Sequence, residues 1–135
     1  MNLPMKRGLL LFAHGARDPR WAEPFEDVAR RVRRCAPTVT VQLAFLEFMT
    51  PSLREAGTTL ADAGCTRIDV VPLFLGAGGH VRKDLPALLA ELSAAQPGVQ
   101  WQLQSAIGER DSVIDAMARA AMESAPQKCA DEPAP

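Results

Sequence analysis

Apolar positions along the chain fall into two alternating rhythms. Four runs rich in β-favouring residues, Gly8–Ala13, Thr38–Phe45, Arg67–Phe74 and Val99–Leu103, are separated by stretches of helical spacing. The first and third runs are nearly continuous apolar sequence, the pattern of strands covered on both faces. Trp21–Cys35 places Phe25, Val28, Ala29 and Val32 on one helical stripe. Thr50-Pro51 reads as a cap with proline at the first helical position, and Gly64 reads as the stop of that helix. A third helix is expected from Val81 or Asp84 to Ala95, because Pro86 is tolerable only near a helix start. A fourth is expected over Glu109–Ser124. Strand and helix alternating with short connections predict an α/β fold, a three-layer sandwich around a four-stranded parallel sheet. The expected strand order is the flavodoxin-like 2-1-3-4. Residues 1–125 read as a single domain. Residues 126–135 hold three prolines and little apolar material, so a disordered tail is expected there.

Composition narrows the function classes. The 15 Lys+Arg and 16 Asp+Glu give a formal net charge of -1, without the positive surplus that generic nucleic-acid or anionic-membrane binding needs. No apolar run approaches the roughly 20 residues of a spanning helix, and the N-terminus carries no signal-peptide pattern. Cys35, Cys65 and Cys129 are an odd set without metal-site spacing, read as reduced thiols of a cytoplasmic protein.

On an open parallel sheet, ligands bind outside the C-terminal ends of the strands. Four segments fall there: His14-Gly-Ala-Arg-Asp18, Phe45-Leu-Glu-Phe-Met49, Gly76-Ala-Gly-Gly-His80-Val-Arg-Lys-Asp84, and Ser105-Ala-Ile-Gly-Glu-Arg110. Both histidines of the chain lie in them. With strands 2, 1 and 3 adjacent, Glu47, His14 and His80 start from three neighbouring strand ends, the outer pair roughly 10 Å apart at a strand spacing of about 4.8 Å. Two imidazoles and a carboxylate suit a divalent transition metal with open positions, and neutral imidazole also accepts protons near neutral pH. A lone histidine or glutamate at such a position can equally be structural. The Gly76–Gly79 loop, with Gly78 and Gly79 as candidate substrate contacts, either punctuates a tight turn, lets a ligand approach backbone or cradles a phosphate at a helix start; it is not a dinucleotide or Walker pattern. Met49 is positioned to touch a flat apolar ligand. Arg17, Arg82, Lys83 and Arg110 are the cations available for a ligand's carboxylates. Arg30-Arg-Val-Arg-Arg34 reads as a solvated helix end whose charge complements the dipole.

Taken in order, His14-Gly-Ala-Arg-Asp-Pro19, Ala44-Phe-Leu-Glu47 with Pro51-Ser-Leu53, and Val71-Pro-Leu-Phe-Leu75 with Gly79-His80 and Asp84-Leu-Pro86 resemble the class II tetrapyrrole chelatases. The nearest likeness is to the short CbiX-type sirohydrochlorin chelatases and their ferrochelatase relatives, over about residues 6–120. The resemblance implies a chelatase-like fold and insertion of a divalent metal, Co²⁺ first and Fe²⁺ or Ni²⁺ otherwise, into sirohydrochlorin. It implies no ATP and no organic cofactor. Its metal-site histidines map onto His14 and His80, also the expected proton acceptors, and its acidic residue onto Glu47. It further implies a homodimer that pairs two shallow shelves around the macrocycle. Ala16 stands where the family usually has serine, and Ile107-Gly-Glu-Arg110 lacks the histidine common in that loop.

Other readings remain on these residues. A metal or tetrapyrrole carrier would use the same pocket without turnover. A phosphate-handling enzyme of the histidine-phosphatase kind would need arginine before the histidine, and Ala13 stands there.

Overall fold

A computed structural model describes residues 5–76 and 78–125, with backbone only for His80 and Arg82. The expected tail, residues 126–135, lies outside the described residues. Four parallel strands form one sheet: β1 (Arg7–Ala13), β2 (Thr40–Phe45), β3 (Arg67–Pro72) and β4 (Gln100–Leu103). Their order is β2-β1-β3-β4, as the alternation of elements predicts. β1 is central, pairing Ala13 with Phe45 on one side and Phe12 with Pro72 on the other. The strand ends beyond these pairs form the edge on which the histidine loops open.

The two faces of the sheet are filled unequally. On one, Leu10, Phe12, Ile68 and Val70 are fully buried beneath α2 (Leu53–Asp62) and α3 (Gly79–Ala95), which contribute Ala56, Leu60, Leu85 and Leu92. Gly57 lets α2 come close: a Cβ there would meet Leu92 Cδ2 at 3.0 Å and Trp101 at 3.1 Å. On the other face, α1 (Glu23–Cys35) covers a smaller cluster of Leu11, Ala29, Val41 and Val71. Burial of apolar area drives both layers, but only the first is continuous.

Local sequence explains the elements and corrects four expectations. A 3₁₀ turn, Pro19–Ala22, precedes α1, so the α-helix itself begins at Glu23 and not at Trp21. Asp18 caps that turn by accepting from the Arg20 N–H at 2.9 Å, and the Arg20 guanidinium holds its carboxyl below the usual range. Helix α2 is capped by Ser52, not Thr50. Ser52 Oγ accepts from the Glu55 N–H at 3.1 Å while Glu55 Oε1 accepts from the Ser52 N–H at 3.2 Å. This reciprocal pair satisfies two end-of-helix donors, which a Thr50 cap could not do because Leu53 would stand at its third helical position. The stop at Gly64 is as expected. With φ +93° at Gly64, its N–H reaches the Ala61 carbonyl at 3.0 Å and the Cys65 N–H reaches Leu60 at 3.1 Å, the paired bonds of a Schellman end.

Helix α3 begins at Gly79 with Gly78 as N-cap, earlier than the expected Val81 or Asp84, which leaves Pro86 well inside it. Burial of Leu85, Leu89 and Leu92 on one stripe outweighs the missing proline hydrogen bond. The fourth helix, α4, is Asp111–Met122, shorter than expected because Ile107–Glu109 forms its own 3₁₀ turn. The basic end of α1 is solvated as expected: Arg31 and Arg30 pair with Asp27 at 2.9 Å and 3.3 Å. No helix among the described residues is long and apolar enough to cross a membrane.

The capping pair generates a stability prediction. Ser52→Ala should lower unfolding free energy by about 0.5–2 kcal/mol, read as a lower urea midpoint at unchanged m-value.

Candidate active site

His14 is the first residue past β1, and its position is set by packing from below. Phe12 is fully buried and meets Phe74 edge-on at 5.9 Å between ring centroids; Phe74 in turn meets the His14 imidazole edge-on at 6.1 Å. Two aromatic contacts therefore run from the core to the site and restrict the imidazole's tilt. Nε2 of His14 lies 3.1 Å from Oε1 of Glu47, with the two side chains 50% and 48% exposed. In the tautomer that carries hydrogen on Nε2, the ring donates to the carboxylate. That contact brings the first and second strand ends together as the sequence predicts.

Backbone geometry holds Glu47 against His14. The Glu47 N–H donates to the His14 carbonyl at 3.1 Å, and the Leu46 N–H to Ala13 at 2.9 Å, so the β1–β2 ladder continues past the strands. Gly15 has φ +97°, and a Cβ on it would sit 1.9 Å from the Glu47 carbonyl oxygen. Only glycine fits there. Glu47 and Met49 then close a three-residue turn, the Met49 N–H donating to the Glu47 carbonyl at 2.8 Å, with Phe48 at φ +65°. This is the rarer, strained form of such a turn, and it presents Phe48 with 58% of its surface exposed. The Arg17 guanidinium lies over the Phe48 ring, 4.9 Å from its centroid.

Phe48 is the site residue that sequence reading missed. Its signal was an aromatic residue between an acid and a methionine in a strand-end loop. Met49, the expected ligand contact, is half-buried against Ala13, Ala22 and Phe45, and with Arg17 and Phe48 it lines a hollow of about 370 Å³.

The third strand-end loop carries the remaining candidates. The Leu73 N–H donates to the Phe12 carbonyl at 2.7 Å, so this loop starts beside the His14 loop. His80 is the second residue of α3; its side chain, like that of Arg82, lies outside the described residues. Lys83 is exposed on α3. Gly78 and Gly79 are exposed, and a Cβ on either would meet no atom of the described residues within 4 Å. Neither sterics within the chain nor a left-handed backbone requires glycine at these positions. Arg110 is set apart from the other cations: it lines an apolar groove on the α1 face with Leu73 and Leu75. Among the described residues no third His, Cys, Asp or Glu joins His14 and Glu47 in a metal-holding group.

The His14–Glu47 pair can share a proton or a cation. Imidazole nitrogen and carboxylate oxygen bind a zinc-sized ion at about 2.0–2.2 Å, which puts two such donors roughly 3 Å apart when they meet it at a right angle. The observed separation of 3.1 Å matches that spacing.

The chain matches a group of known proteins along nearly its whole length. The sequence profile of the CbiX family matches residues 8–124, and the chain belongs to this family. A sirohydrochlorin cobaltochelatase of Sulfurisphaera tokodaii is 32% identical over 108 residues, 80% of this chain and 85% of that protein. One from Methanosarcina acetivorans is 35% identical over 85 residues, 63% of this chain and 65% of its own length. The match to a Methanopyrus kandleri relative spans 57% of that protein. Among solved structures, a CbiX protein of cobalamin biosynthesis from Marinobacter aquaeolei superposes with a TM-score of 0.78 at 33% identity, covering 90% of this chain and 99% of the other. The sirohydrochlorin chelatase SirB of Bacillus subtilis, solved with cobalt, shares the fold with a TM-score of 0.77 at 23% identity, covering 88% of this chain and 51% of SirB.

The close approach at Gly15 is testable. Gly15→Ala should cost about 1–3 kcal/mol of stability and displace Glu47. Denaturant unfolding reads the first effect, and a shifted His14 imidazole NMR signal reads the second.

Proposed function

We propose that this protein inserts a divalent metal, Co²⁺ foremost, into sirohydrochlorin in cobalamin or siroheme biosynthesis. The observation that carries the reading is the His14–Glu47 contact at the end of the central strand, in a chain whose family includes sirohydrochlorin cobaltochelatases. Insertion requires the ion to be held at the ring face while two inner N–H protons leave the macrocycle. His14 and His80 are the proposed metal ligands and proton acceptors. Glu47, facing His14 Nε2, lends its negative charge to the ion and can take a proton in exchange. The metal is substrate, and neither ATP nor an organic cofactor is needed.

A flat macrocycle needs an apolar surface and cations at its rim. Phe48 and Met49 offer the first; Arg17, Arg82, Lys83 and Arg110 are proposed for the peripheral carboxylates. The open space above Gly78 and Gly79 supports close approach of the ring edge. One such domain, residues 1–125, presents a shelf and not a cleft, so a homodimer pairing two shelves is part of the proposal. Cys35 and Cys65 are both free thiols, which suits a reducing cytoplasm.

The test is an anaerobic insertion assay with Co²⁺, Fe²⁺ and Ni²⁺ under steady-state conditions. Multiple turnovers with one metal support a chelatase; stoichiometric binding without turnover would make the protein a carrier. His14→Ala and His80→Ala should each remove most turnover while the protein stays folded, because both positions lie beyond the core strands. Near wild-type rates in either variant would overturn that residue's role. Arg82→Gln and Lys83→Gln should raise KM more than they lower kcat, since rim carboxylates are remote from the reacting nitrogens. Arg30→Gln, on α1, serves as the control, and equal KM values in all three would refute rim recognition. Phe48→Gly should weaken substrate binding while leaving the fold as stable or more so, because glycine adopts φ +65° without strain.

A further inference from the structure

The loops after β1 and β2 enclose a hollow that the His14–Glu47 pair does not itself use. It measures about 370 Å³ and lies beside the 3₁₀ turn Pro19–Ala22, with Ala22, Phe45 and Met49 as its apolar floor. Clefts that enclose a whole small ligand run from roughly 300 to 1,000 Å³, so this one suits an arm of a larger molecule. Its two ends differ. Ala16 and Phe48 line it next to the reacting pair, Ala16 two residues past His14 and Phe48 one past Glu47. Glu26 and Thr50 are shared with a second hollow that contains Arg30 and Arg33 of α1. The first hollow therefore runs from the His14–Glu47 pair towards α1.

Charge is ordered along it. Arg17 belongs to the end beside the pair: its guanidinium lies over the Phe48 ring and pairs with no acid among the described residues. The neighbouring acid, Asp18, is taken by Arg20, which donates from Nη2 at 3.0 Å and from its backbone N–H at 2.9 Å. A ring face steadies a cation and leaves the in-plane N–H donors of a guanidinium for a carboxylate. The turn that Met49 closes onto Glu47 fixes the backbone of Phe48, and with it the platform under Arg17. Glu26, exposed at the α1 end, repels any carboxylate that reaches it.

We propose that this hollow is a length-selecting subsite for one carboxylate arm of the macrocycle. Arg17 receives the carboxylate, Phe48 is the positioning residue that holds Arg17 in place, and Glu26 turns away arms that extend towards α1. An acetate-length arm ends beside Arg17; one methylene more carries the charge towards Glu26. The inference rests on the tetrapyrrole substrate proposed above and adds which arm the site reads.

Fluorescence titration of the full chain with two porphyrins, without added metal, tests it. Uroporphyrin I carries an acetate and a propionate arm on every pyrrole; coproporphyrin I keeps the propionates and has methyl groups in place of the acetates. The wild type should bind uroporphyrin I more tightly. Arg17→Met, which keeps the stem and removes the charge, should weaken uroporphyrin I about fivefold, between the limits for exposed and desolvated charge contacts. Coproporphyrin I should weaken far less. Phe48→Leu should reduce the selectivity in the wild-type background and not further in Arg17→Met, whereas Phe48→Tyr should retain it. Glu26→Gln should tighten coproporphyrin I selectively, and Arg30→Gln, in the second hollow, should move neither ligand. Equal losses for both porphyrins in Arg17→Met, or no binding of either, would overturn the subsite. A Glu26→Gln variant that tightens both alike would overturn the length selection. A Phe48→Leu effect that persists in full in the Arg17→Met background would overturn the positioning role. Turnover is assayed separately: selective porphyrin binding without insertion of Co²⁺ into sirohydrochlorin would sink the chelatase reading and leave the subsite standing.

Discussion

β1 is flanked on both sides by parallel partners, and the site follows from that single constraint. The loops after β1, β2 and β3 must open at one edge because their strands run the same way and lie side by side. The ladder does not stop at the strands: Leu46 and Glu47 continue it against Ala13 and His14, and Leu73 continues it against Phe12. Functional side chains on loops are usually positioned less firmly than those on a sheet. Here backbone hydrogen bonds tie the bend that bears Glu47 to Ala13 and His14, so its carboxylate meets His14 without a long flexible reach.

Tight positioning is coupled to local strain. The Gly15 approach to the Glu47 carbonyl and the left-handed Phe48 backbone lie within one short stretch of contact between two loops. Non-glycine residues in that region cost of order 1–3 kcal/mol and persist where the surroundings over-determine them. The surroundings here are the core below, through Phe12 and Phe74, and the capping pair of α2 beyond Pro51. The arrangement concentrates cost beside the reacting groups and recovers it in well-packed regions.

The strands and their order were legible because buried parallel strands leave continuous apolar runs and because alternation with helices dictates the crossovers. That His14, Glu47 and the backbone of His80 lie at neighbouring strand ends was legible for the same reason: parallel strands open their loops at one edge. What escaped the sequence was governed by contacts that periodicity does not encode. The start of α3 depended on the burial of its leucines, which outweighed the proline. The cap of α2 was decided between Thr50 and Ser52 by a reciprocal bond with Glu55. Phe48 was hidden because its exposure results from a strained turn, which no propensity favours.

Pro86 gives α3 an internal seam. Without an N–H at this position, the carbonyl of residue 82 has no i+4 partner, and the turns from Gly79 onward are joined to the rest of the helix by one rung fewer. Leu85 just before the proline and Leu89 and Leu92 after it fasten the helix in the main core, and Val81 packs against that core from the first turn. The first turn, which bears His80, is thus tied to the rest of the helix by side-chain packing and one backbone rung fewer. Under the proposed function, a large flat macrocycle would enter and leave past this first turn. With one rung fewer, that turn could shift while the leucine stripe beyond it stays packed.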